Sequence, residues 1–591
     1  MYKSHSCGEL RRTHTGQAVT LAGWVHRRRD HGGVVFIDLR DRSGLAQVVF
    51  NPDVSKAVLD KLAEVRLEWV LQVRGSVGER PAGMQNPKLP TGEVEVIAEA
   101  LEILNPARPL PFAVSGDEAL PDENTRLRYR YLDLRREKMR DNLSIRHRVI
   151  KFIRDYLDSH DFLEIETPIL FKTTPEGARD YLVPSRVHAG QFYALPQSPQ
   201  QLKQLLMVAG MDRYFQIARV FRDEDQRGDR QPEFTQLDLE MAFVDRREDV
   251  MDVLEDMYTR MVAEIFPGKR LLKSPWPRFT YDEAMARFGR DNPDIRFGLE
   301  LRDVSDLARQ SGFKVFESTI EAGGEVHAMT MPGCGSYSRR QIDSLTERVK
   351  EFGAEGLAYM ALTDESDVKA SFGKFVQPET LRALAARAGA GKGDLVVFVA
   401  DQRPVALDAL GRLRSSLADE LGHVDPDELG FCWIVDFPFA FWNEEERRWD
   451  PSQHPFTLPM PEDLHLMEHD PGRMRGTQYD AVLNGTEVAG GSLRVHHRAV
   501  QEKIFQLIGL PLDVARERFG HMLEAFEYGA PPHGGIASGL DRLLMILAKE
   551  PNIREVIAFP KNQAARDVMA DAPSRVEEAQ LRELGIKLLG S

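Results

Sequence analysis

Two short segments of alternating polar and apolar residues flank a highly charged stretch between Tyr214 and Phe243, and no other pattern constrains the fold of this 591-residue chain as strongly. The apolar positions are Phe215, Ile217 and Val220 before the charged stretch and Leu237, Leu239 and Met241 after it. A period of two residues is typical of a half-buried strand, so the pattern predicts two antiparallel strands joined by a long polar loop. Because binding residues are often carried by loops on a rigid scaffold, the loop is a candidate site.

The residue types around this loop suit a nucleotide. Arg222 and Glu224 lie two apart, which on a strand places them on one face. The arginine offers a planar fork to a phosphate, the glutamate accepts a hydrogen bond from an amino group, and Phe234 could cover a flat ring. The alternative is a surface hairpin held by salt bridges, which the spacing alone favours because such charged units are usually only solvated.

The exact sequence of the segment favours the nucleotide site over the surface hairpin. FRDED at 221–225 followed by RQPEFTQLDLE at 230–240 resembles the second signature motif of class II aminoacyl-tRNA synthetases, in the form of the bacterial aspartyl-tRNA synthetases. The resemblance implies that this region binds ATP. The residues it assigns to ATP here are Arg222, Asp223, Glu224, Gln231 and Phe234.

Composition limits the class of protein. With 42% hydrophobic and 29% charged residues, the chain should form three or four soluble domains. No apolar run approaches about 18 residues, so no transmembrane helix is expected, and the N-terminus lacks an apolar signal core. The three cysteines are far apart, which favours a reducing cytoplasm and argues against a zinc site.

The charge is unevenly distributed. The net charge of -15 taken alone speaks against a nucleic-acid-binding protein. Residues 126–154 nevertheless contain eleven Arg or Lys against three acidic residues, and the first fifty residues contain eight against four. These regions could meet a phosphate backbone while the rest of the chain stays acidic.

Residues 17–105 read as five short strands separated by turns, which suits a small closed barrel such as the oligonucleotide-binding (OB) fold. Arg27 and Arg29 supply cations for phosphate, Phe36 an aromatic platform and Gln47 an amide for a base edge. The alternative places Phe36 in the barrel core. The segment GWVHRRRDHGGVVFIDLRDRSG resembles the anticodon-binding barrel of bacterial aspartyl-tRNA synthetases, and this resemblance implies that these four residues contact the anticodon.

The loop after RRRD bears on tRNA specificity. It begins with His31 and Gly32, and several members of the family that also charge tRNA(Asn) carry histidine then glycine here. We therefore hypothesise that the chain charges both tRNA(Asp) and tRNA(Asn), with an amidotransferase as a pathway partner. The alternative is that His31 is only a solvated loop residue.

The segment 141–168 is predicted to form a helix with one apolar face, then a strand that ends before Pro168. This order resembles the first class II motif, which builds the dimer interface in that family. The resemblance implies a homodimer.

The same resemblance assigns an aspartate pocket. Its members are Glu176, Ser198, Gln200, Lys203, Arg222, Asp238, His454 and Arg494. A lone lysine on a helix is usually solvated, but here the family match places Lys203 on the substrate's side-chain carboxylate. Bound asparagine would then leave the charges of Lys203 and Arg494 poorly compensated, and burying uncompensated charge costs free energy. The family usually has a histidine where Gln453 stands, so a histidine-mediated contribution to selection is in doubt.

A pair of carboxylates suggests a metal. Asp480 and Glu487 are seven apart on what should be adjacent strands, and oxygen ligands suit Mg²⁺. The alternative is that these are isolated acidic residues on the surface. The nearby Gly490-Gly491 and Arg494 argue against this alternative, because glycines let the backbone approach a ligand.

A last motif follows. EYGAPPHGGIASGLDRLLMIL at 527–547 resembles the third class II motif. Gly534, Gly535 and Gly539 are predicted to permit a tight strand-to-helix turn. The resemblance adds further ATP-binding residues, which are Glu487, Gly539, Leu540, Asp541 and Arg542.

These interpretations combine into one expectation of fold class α+β. The predicted parts are an OB-fold anticodon-binding domain at 1–107, a linker at 108–140, a catalytic domain with an antiparallel sheet flanked by helices at 141–286 and 425–591, and an inserted α+β domain at 287–424. The expected function is an ATP-dependent, AMP-forming aspartate–tRNA ligase of the cytoplasm, with Arg222, Glu487 and Arg542 as catalytic residues. The alternatives are another class II synthetase, such as an asparaginyl enzyme, and a non-catalytic RNA-binding protein.

Overall fold

The computed structural model describes residues 2–53, 55–116, 119–173, 178–363 and 368–589. They form two compact units, Met1–Asp141 with Val568–Ala570 and Asn142–Asp567 with Asp571–Ser591. Short 3-10 helices occur at Cys7–Glu9, Arg12–His14, Pro461–Leu466, Pro471–Arg473, Phe526–Tyr528 and Ile553–Glu555.

The first unit contains the predicted closed barrel. Its strands are β1 (Ala18–His31), β2 (Val34–Asp41), β3 (Gly44–Phe50), β4 (Val70–Glu79) and β5 (Val94–Asn105), with helix α1 (Lys56–Glu64) between β3 and β4. The strands close in the order β1-β2-β3-β5-β4. Alternate residues such as Val25, Ile37 and Val48 are fully buried inside, which is the burial pattern of a barrel strand.

The stretch predicted as a linker at 108–140 is partly helical. It contains α2 (Glu123–Arg128), α3 (Arg130–Asp133) and the start of α4 (Glu137–Asp158). Asp133 is fully buried and forms ion pairs with Arg126, Arg130 and Arg136, at 3.1, 2.6 and 2.7 Å. These three cations of the basic stretch therefore have a structural counter-ion rather than being free for a phosphate.

The second unit begins within α4. The elements that follow it are β6 (Leu163–Glu164), β7 (Leu182–Pro184), β8 (Phe192–Ala194), α5 (Gln200–Val208), β9 (Arg213–Phe221), β10 (Glu233–Ala242), α6 (Arg247–Ile265), β11 (Arg270–Leu271), β12 (Arg278–Thr280) and α7 (Tyr281–Phe288). The predicted hairpin is confirmed, because β9 and β10 pair antiparallel over nine residues from Phe221↔Glu233 to Arg213↔Met241.

The inserted region has a sheet of its own. Its elements are β13 (Leu301–Asp303), α8 (Ser305–Ala308), α9 (Lys314–Glu321), β14 (Glu325–Met331), α10 (Arg339–Glu351), β15 (Ala358–Leu362), β16 (Val368–Ala370), α11 (Pro378–Ala388), β17 (Leu395–Asp401) and α12 (Arg403–Leu417). The strand order is β13-β14-β17-β15-β16. The helices and the sheet share two apolar cores, as an α+β arrangement requires.

The chain then returns to the main sheet. The remaining elements are β18 (Glu428–Leu429), β19 (Phe431–Val435), β20 (Ala440–Asn443), β21 (Arg448–Pro451), β22 (Tyr479–Leu483), β23 (Thr486–Leu493), α13 (Arg498–Leu507), α14 (Leu512–Ala525), β24 (His533–Gly539), α15 (Leu540–Leu547) and α16 (Glu578–Glu583). Within the described ranges, no helix has the length and hydropathy needed to cross a bilayer.

The main sheet has eight strands in the order β12-β19-β22-β23-β24-β10-β9-β6, mostly antiparallel. One face packs on α4, α6 and α15 through a single large core. Strand β10 shows how the sequence arranges this, because Leu237 and Leu239 enter that core while Asp238 and Glu240 point to the other face. The polar face of β10 lies beside the site described next.

Candidate active site

A cavity of about 360 Å³ lies on the polar face of the eight-stranded sheet. Its lining residues are Ser198, Gln200, Lys203, Arg222, Glu224, Asp229, Arg230, Gln231, Phe234, Gln236, Asp238, Gln453, His454, Glu487, Val488, Ala489, Gly490, Arg494, Ala537, Gly539, Asp541, Arg542 and Ile553. The cavity thus brings together most of the positions that the sequence assigned to ATP and aspartate.

One end of the cavity is formed by the β9–β10 loop. Arg222 and Glu224 follow the last residue of β9, so their placement on the strand itself was wrong. The guanidinium carbon of Arg222 lies 5.2 Å from the centroid of the Phe234 ring, and Glu224 pairs with Arg230 at 3.2 Å. A planar cation stacked on an aromatic ring leaves a flat polar surface that suits a phosphate or a base.

Arg542 faces this loop from the first turn of α15. Its Nη2 lies 3.0 Å from a carboxylate oxygen of Asp229, and its Nη1 donates to the Glu487 carbonyl at 3.3 Å. Arg542 therefore connects the β9–β10 loop with β23. An anionic ligand that bound between this loop and β23 would contact the Arg542 guanidinium.

The other end of the cavity holds a cluster of buried charges. Lys203 Nζ lies 2.9 Å from Asp238 and 3.2 Å from Glu240. Arg494 Nε and Nη2 donate to the two oxygens of Glu240 at 2.9 and 3.3 Å. The expectation of two poorly compensated cations was therefore wrong, because each cation already has a buried carboxylate as its partner.

The remaining nitrogen of Arg494 is also engaged. Nη1 donates to Ser492 Oγ at 2.7 Å and contacts His454 Nε2 at 2.8 Å. Burial, together with the charges of Arg494 and Lys203, lowers the pKa of His454 well below its ordinary value, so this imidazole is neutral at neutral pH. His454 serves here as a neutral contact of Arg494.

The carboxylates of the cluster differ in their titration. Burial alone would raise the pKa of Glu240, but the charges of Arg494 and Lys203 outweigh it and the pKa is lowered. Burial raises the pKa of Asp238 despite the opposing Lys203 charge. Glu240 is accordingly the firmly ionised member of the pair.

Asp480 and Glu487 lie on adjacent antiparallel strands, as predicted. A Cβ built on Gly490 would lie 3.0 Å from an oxygen of Asp480 and 3.2 Å from one of Glu487, so both carboxylates converge over this glycine. Burial and the Glu487 charge raise the pKa of Asp480 well above its ordinary value. Two converging carboxylates that repel each other suit a divalent cation, although the described residues include no group of three or more metal-binding side chains.

Several assigned positions have structural partners. Asp541 forms an ion pair with Arg146 and accepts the Thr235 backbone N–H at 2.8 Å. The Gln231 amide bonds to both backbone groups of Lys561. Leu540 is fully buried in the core. Gln231 and Asp541 therefore link separate segments of the cavity wall, whereas Leu540 belongs to the core.

The cavity does not include every predicted residue. Asp223 is absent from its lining and its backbone N–H bonds to the Arg179 carbonyl. Glu176 lies outside the described residues. Ser198 lies one residue before the N-cap position of α5, which is Pro199, and its Oγ accepts the Gln200 N–H at 3.3 Å.

The explanation of the glycines in the third motif needs correction. Gly534 and Gly535 lie within β24 rather than in a turn. A Cβ on Gly535 would lie 1.9 Å from Glu240 Oε2, so glycine is needed there for close approach of that carboxylate. Gly539 alone precedes α15, with an ordinary extended backbone at φ -73°.

The sequence interpretation missed Glu240 and Asp229, whereas Gln453, noted there as a departure from the family pattern, lines the cavity. Glu240 could have been found from the period of β10, because it lies two residues beyond Asp238 on the same face. Gln453 accepts a hydrogen bond from Thr457 at 3.2 Å, and its amide nitrogen lies 3.4 Å from a Cβ built on Gly490. No sequence signal placed Asp229 on Arg542.

The barrel carries its own polar cluster. Arg29 donates to Asp38 at 2.7 Å and to Gln47 at 3.2 Å, and lies 5.9 Å from the Phe36 ring centroid. Phe36 is half-buried on the outer face, so the alternative that it belongs to the barrel core was wrong. Gln47 in turn donates to Glu95 at 2.8 Å.

The other two barrel positions are exposed. Arg27 lies on β1, two residues before Arg29. His31 is the last residue of β1, not a loop residue, and the turn to β2 is made by Gly32 and Gly33 with φ of 58° and 86°. Paired positive φ values are typical of the tight turn in a two-residue hairpin, which presents His31 at the tip of the barrel.

Comparison with known proteins gives two family matches. Residues 122–563 match the model of class II tRNA synthetases (D, K and N), and residues 19–104 match the OB-fold nucleic acid binding domain. A protein of Rubrobacter xylanophilus is 56% identical over 99% of this chain and 97% of its own length, and one of Syntrophomonas wolfei is 51% identical over the full length of both chains. Both are named aspartate–tRNA(Asp/Asn) ligase.

Solved structures share the fold at low identity. Asparaginyl-tRNA synthetase from Pyrococcus horikoshii, complexed with asparaginyl-adenylate, has a TM-score of 0.60 at 18% identity and covers 95% of this chain and 98% of its own. Aspartyl tRNA synthetase from Entamoeba histolytica has a TM-score of 0.56 at 19% identity, covering 94% and 90%.

An antiparallel sheet whose polar face carries a charged hairpin loop and a helix-borne arginine is the catalytic fold of the class II aminoacyl-tRNA synthetases. Within that class, the chain belongs to the family of the aspartyl, lysyl and asparaginyl enzymes, with the OB-fold domain at its N-terminus.

Proposed function

We propose that this chain activates L-aspartate with ATP to form aspartyl-adenylate and transfers the aspartyl group to the 3′ end of tRNA(Asp) and of tRNA(Asn). The observation that carries the proposal is the single cavity with Arg222 and Arg542 at one end and the Lys203–Arg494 cluster at the other. The names of the full-length relatives support the choice of aspartate and of both tRNAs.

The chemistry requires mainly positioning and charge stabilisation. The aspartate α-carboxylate attacks the α-phosphorus of ATP and pyrophosphate leaves. Arg222 and Arg542 offer guanidinium groups to the negative charge that develops on the phosphate oxygens. The 3′-hydroxyl of the terminal adenosine then attacks the adenylate carbonyl, and AMP leaves.

Asp480 and Glu487 would hold Mg²⁺, since they converge over Gly490 and burial with mutual repulsion makes a cation favourable there. When bound, the ion would neutralise phosphate charge. Glu224, Gln231, Phe234, Gly539 and Asp541 complete the proposed nucleotide end of the cavity.

Lys203, Arg494, Gln200, Ser198, Asp238 and His454 form the proposed aspartate end. A lysyl enzyme needs carboxylates free to face a cationic side chain. Here Asp238 and Glu240 already pair with Lys203 and Arg494, which disfavours lysine as the substrate.

The barrel is proposed to read the anticodon through Arg27, Arg29, Phe36 and Gln47. The exposed Arg27, the half-buried Arg29, the half-buried ring on the outer face and the amide next to it supply the phosphate, stacking and base-edge contacts that single-stranded RNA requires. His31 at the exposed end of β1 is the proposed determinant of the wider tRNA range. If tRNA(Asn) is charged with aspartate, an amidotransferase must act downstream.

A homodimer in the cytoplasm is the proposed working form. The second unit exposes large apolar side chains that a partner copy would cover. They are Leu163, Ile169, Leu170 and Phe243, with exposures of 53%, 40%, 50% and 73%. Sedimentation analysis tests this: the proposal requires a dimer, and a monomer at micromolar concentration would contradict it.

Aspartate-dependent exchange of labelled pyrophosphate into ATP tests the proposed activity. Exchange is expected with aspartate and Mg²⁺, and far less with asparagine or lysine. Exchange with asparagine instead would indicate the asparaginyl alternative. Absence of exchange with any amino acid would support a non-catalytic RNA-binding protein.

A further inference from the structure

Glu240 lies at the centre of the buried charge cluster but is not itself part of the cavity lining. Its side chain is completely buried on β10, directly across from Gly535 of β24. The missing side chain of Gly535 is what makes room for its carboxylate, since a Cβ there would lie 1.9 Å from Oε2. The fold thus provides a dedicated place for one buried anion.

That anion holds both cations of the aspartate end. Oε1 accepts from Arg494 Nε, and Oε2 accepts from Arg494 Nη2 and lies 3.2 Å from Lys203 Nζ. A planar guanidinium held by two parallel hydrogen bonds cannot rotate without breaking both. Lys203 is held by two ion pairs, because Asp238 also lies 2.9 Å from its Nζ.

Counting donors shows what remains for a ligand. Arg494 has five N–H groups and Lys203 has three. Within the described part of the chain, Glu240 accepts from two of the arginine N–H groups and Ser492 from one, and Nη1 also lies 2.8 Å from His454 Nε2. Lys203 Nζ, with its three N–H groups, lies 2.9 Å from a carboxylate oxygen of Asp238 and 3.2 Å from one of Glu240. Each cation therefore has at least one N–H beyond these contacts, and both side chains line the cavity.

We propose that Glu240 is a positioning residue that fixes Lys203 and Arg494 so that each offers one N–H to the substrate side chain, and that this pair of donors selects aspartate over asparagine. A carboxylate accepts from both donors. A carboxamide can accept from only one, and its own N–H groups would face the other. The inference rests on the proposed aspartate activation and names the residue that sets its selectivity.

This basis of selection differs from simple charge attraction. Both cations are compensated by carboxylates before any substrate binds. Binding of the neutral asparagine side chain would therefore leave little uncompensated positive charge, and charge alone would select weakly against it. Mismatched hydrogen bonds in a buried site do impose one, because a donor facing a donor stays unpaired. The lowered pKa of Glu240 agrees with its being ionised at neutral pH.

The test replaces Glu240 by glutamine, which keeps the shape but places an N–H₂ group against one cation. Pyrophosphate exchange is measured with aspartate and with asparagine, over a range of ATP concentrations. For E240Q, we expect the KM for aspartate to rise about 10- to 100-fold, the KM for ATP to stay within about two-fold, and the aspartate-to-asparagine ratio of kcat/KM to fall about ten-fold or more. Glu578→Gln, at an exposed glutamate of α16, is the matched control and should leave all these values unchanged.

An unchanged aspartate-to-asparagine ratio in folded E240Q would overturn the proposal, whether activity falls or not. If E240Q does not fold, Glu240→Asp decides. That variant retains the charge but shortens the side chain, so the KM for aspartate should rise about ten-fold with less loss of selectivity. A parental KM in E240D would contradict the proposal. Failure of the parent protein to exchange with aspartate at all would instead refute the proposed function.

Discussion

A carboxylate oxygen of Asp229 lies 3.0 Å from the Arg542 guanidinium. A residue of the β9–β10 loop thus forms an ion pair with the arginine that we propose to bind the ATP phosphates. Both side chains are partly exposed, at 38% and 26%, so the pair is weak and can be exchanged for a ligand. Nucleotide binding should therefore displace Asp229 from Arg542.

Replacing Asp229 by asparagine removes this competition. We expect the KM for ATP in pyrophosphate exchange to fall about two- to five-fold, which matches the small free energy of a solvent-screened ion pair. The aspartate KM should not change. A higher ATP KM in D229N would show that Asp229 assists nucleotide binding rather than opposing it.

Arg542 itself should be indispensable for adenylate formation. Arg542→Ala is expected to lower the rate of pyrophosphate exchange about 10²- to 10³-fold, as for loss of one group that stabilises transition-state charge. Arg382→Ala removes an exposed arginine of α11 paired with Glu379 and serves as the control, with parental exchange expected. Exchange by R542A within about three-fold of the parent would exclude the proposed role.

The barrel cluster should affect tRNA but not the first reaction. Arg29→Ala removes the hydrogen bonds to Asp38 and Gln47 and the cation near Phe36, so the tRNA KM for charging should rise about ten-fold. Exchange without tRNA should stay parental. Arg12→Ala, at an exposed arginine of the same unit, is the comparison. Equal effects of R29A on exchange and on charging would point to a folding defect.

The Asp480–Glu487 pair should make stability depend on pH and on Mg²⁺. The pKa of Asp480 is raised in the folded protein, so its stabilising contribution is complete below the unfolded-state pKa and is lost as pH rises through the folded-state value. Without Mg²⁺ at about pH 8, Asp480→Asn should therefore have a higher free energy of unfolding than the parent.

Denaturant unfolding with and without Mg²⁺ measures both effects. Mg²⁺ should stabilise the parent at this pH and have a much smaller effect on D480N. Equal stabilisation of both proteins by Mg²⁺ would mean that the ion binds elsewhere.

The fold was largely predictable because its signals are local. The period of two in β9 and β10 and the spaced short strands of the barrel appear directly in the sequence. The helical structure of the stretch predicted as a linker at 108–140 was harder to predict. It is associated with ion pairs between Asp133 and three arginines, and no periodicity in the sequence indicates those contacts.

The site was predictable in its members more than in its electrostatics. Lys203 and Arg494 could be assigned by resemblance, but their common partner Glu240 reaches them only when β10 pairs with β24 across from Gly535. The role of Gly535 was likewise misjudged as turn formation. Long-range strand pairing, which a single sequence does not display, decides both points.

The most direct test of the account is the charging of purified tRNA(Asp) and tRNA(Asn) transcripts with labelled aspartate, side by side, by the parent protein and by His31→Leu. Both tRNAs should be charged at comparable rates by the parent, and H31L should lose charging of tRNA(Asn) about ten-fold relative to tRNA(Asp). Charging of tRNA(Asp) alone by the parent would contradict the proposed tRNA range, and charging of neither would contradict the proposed function.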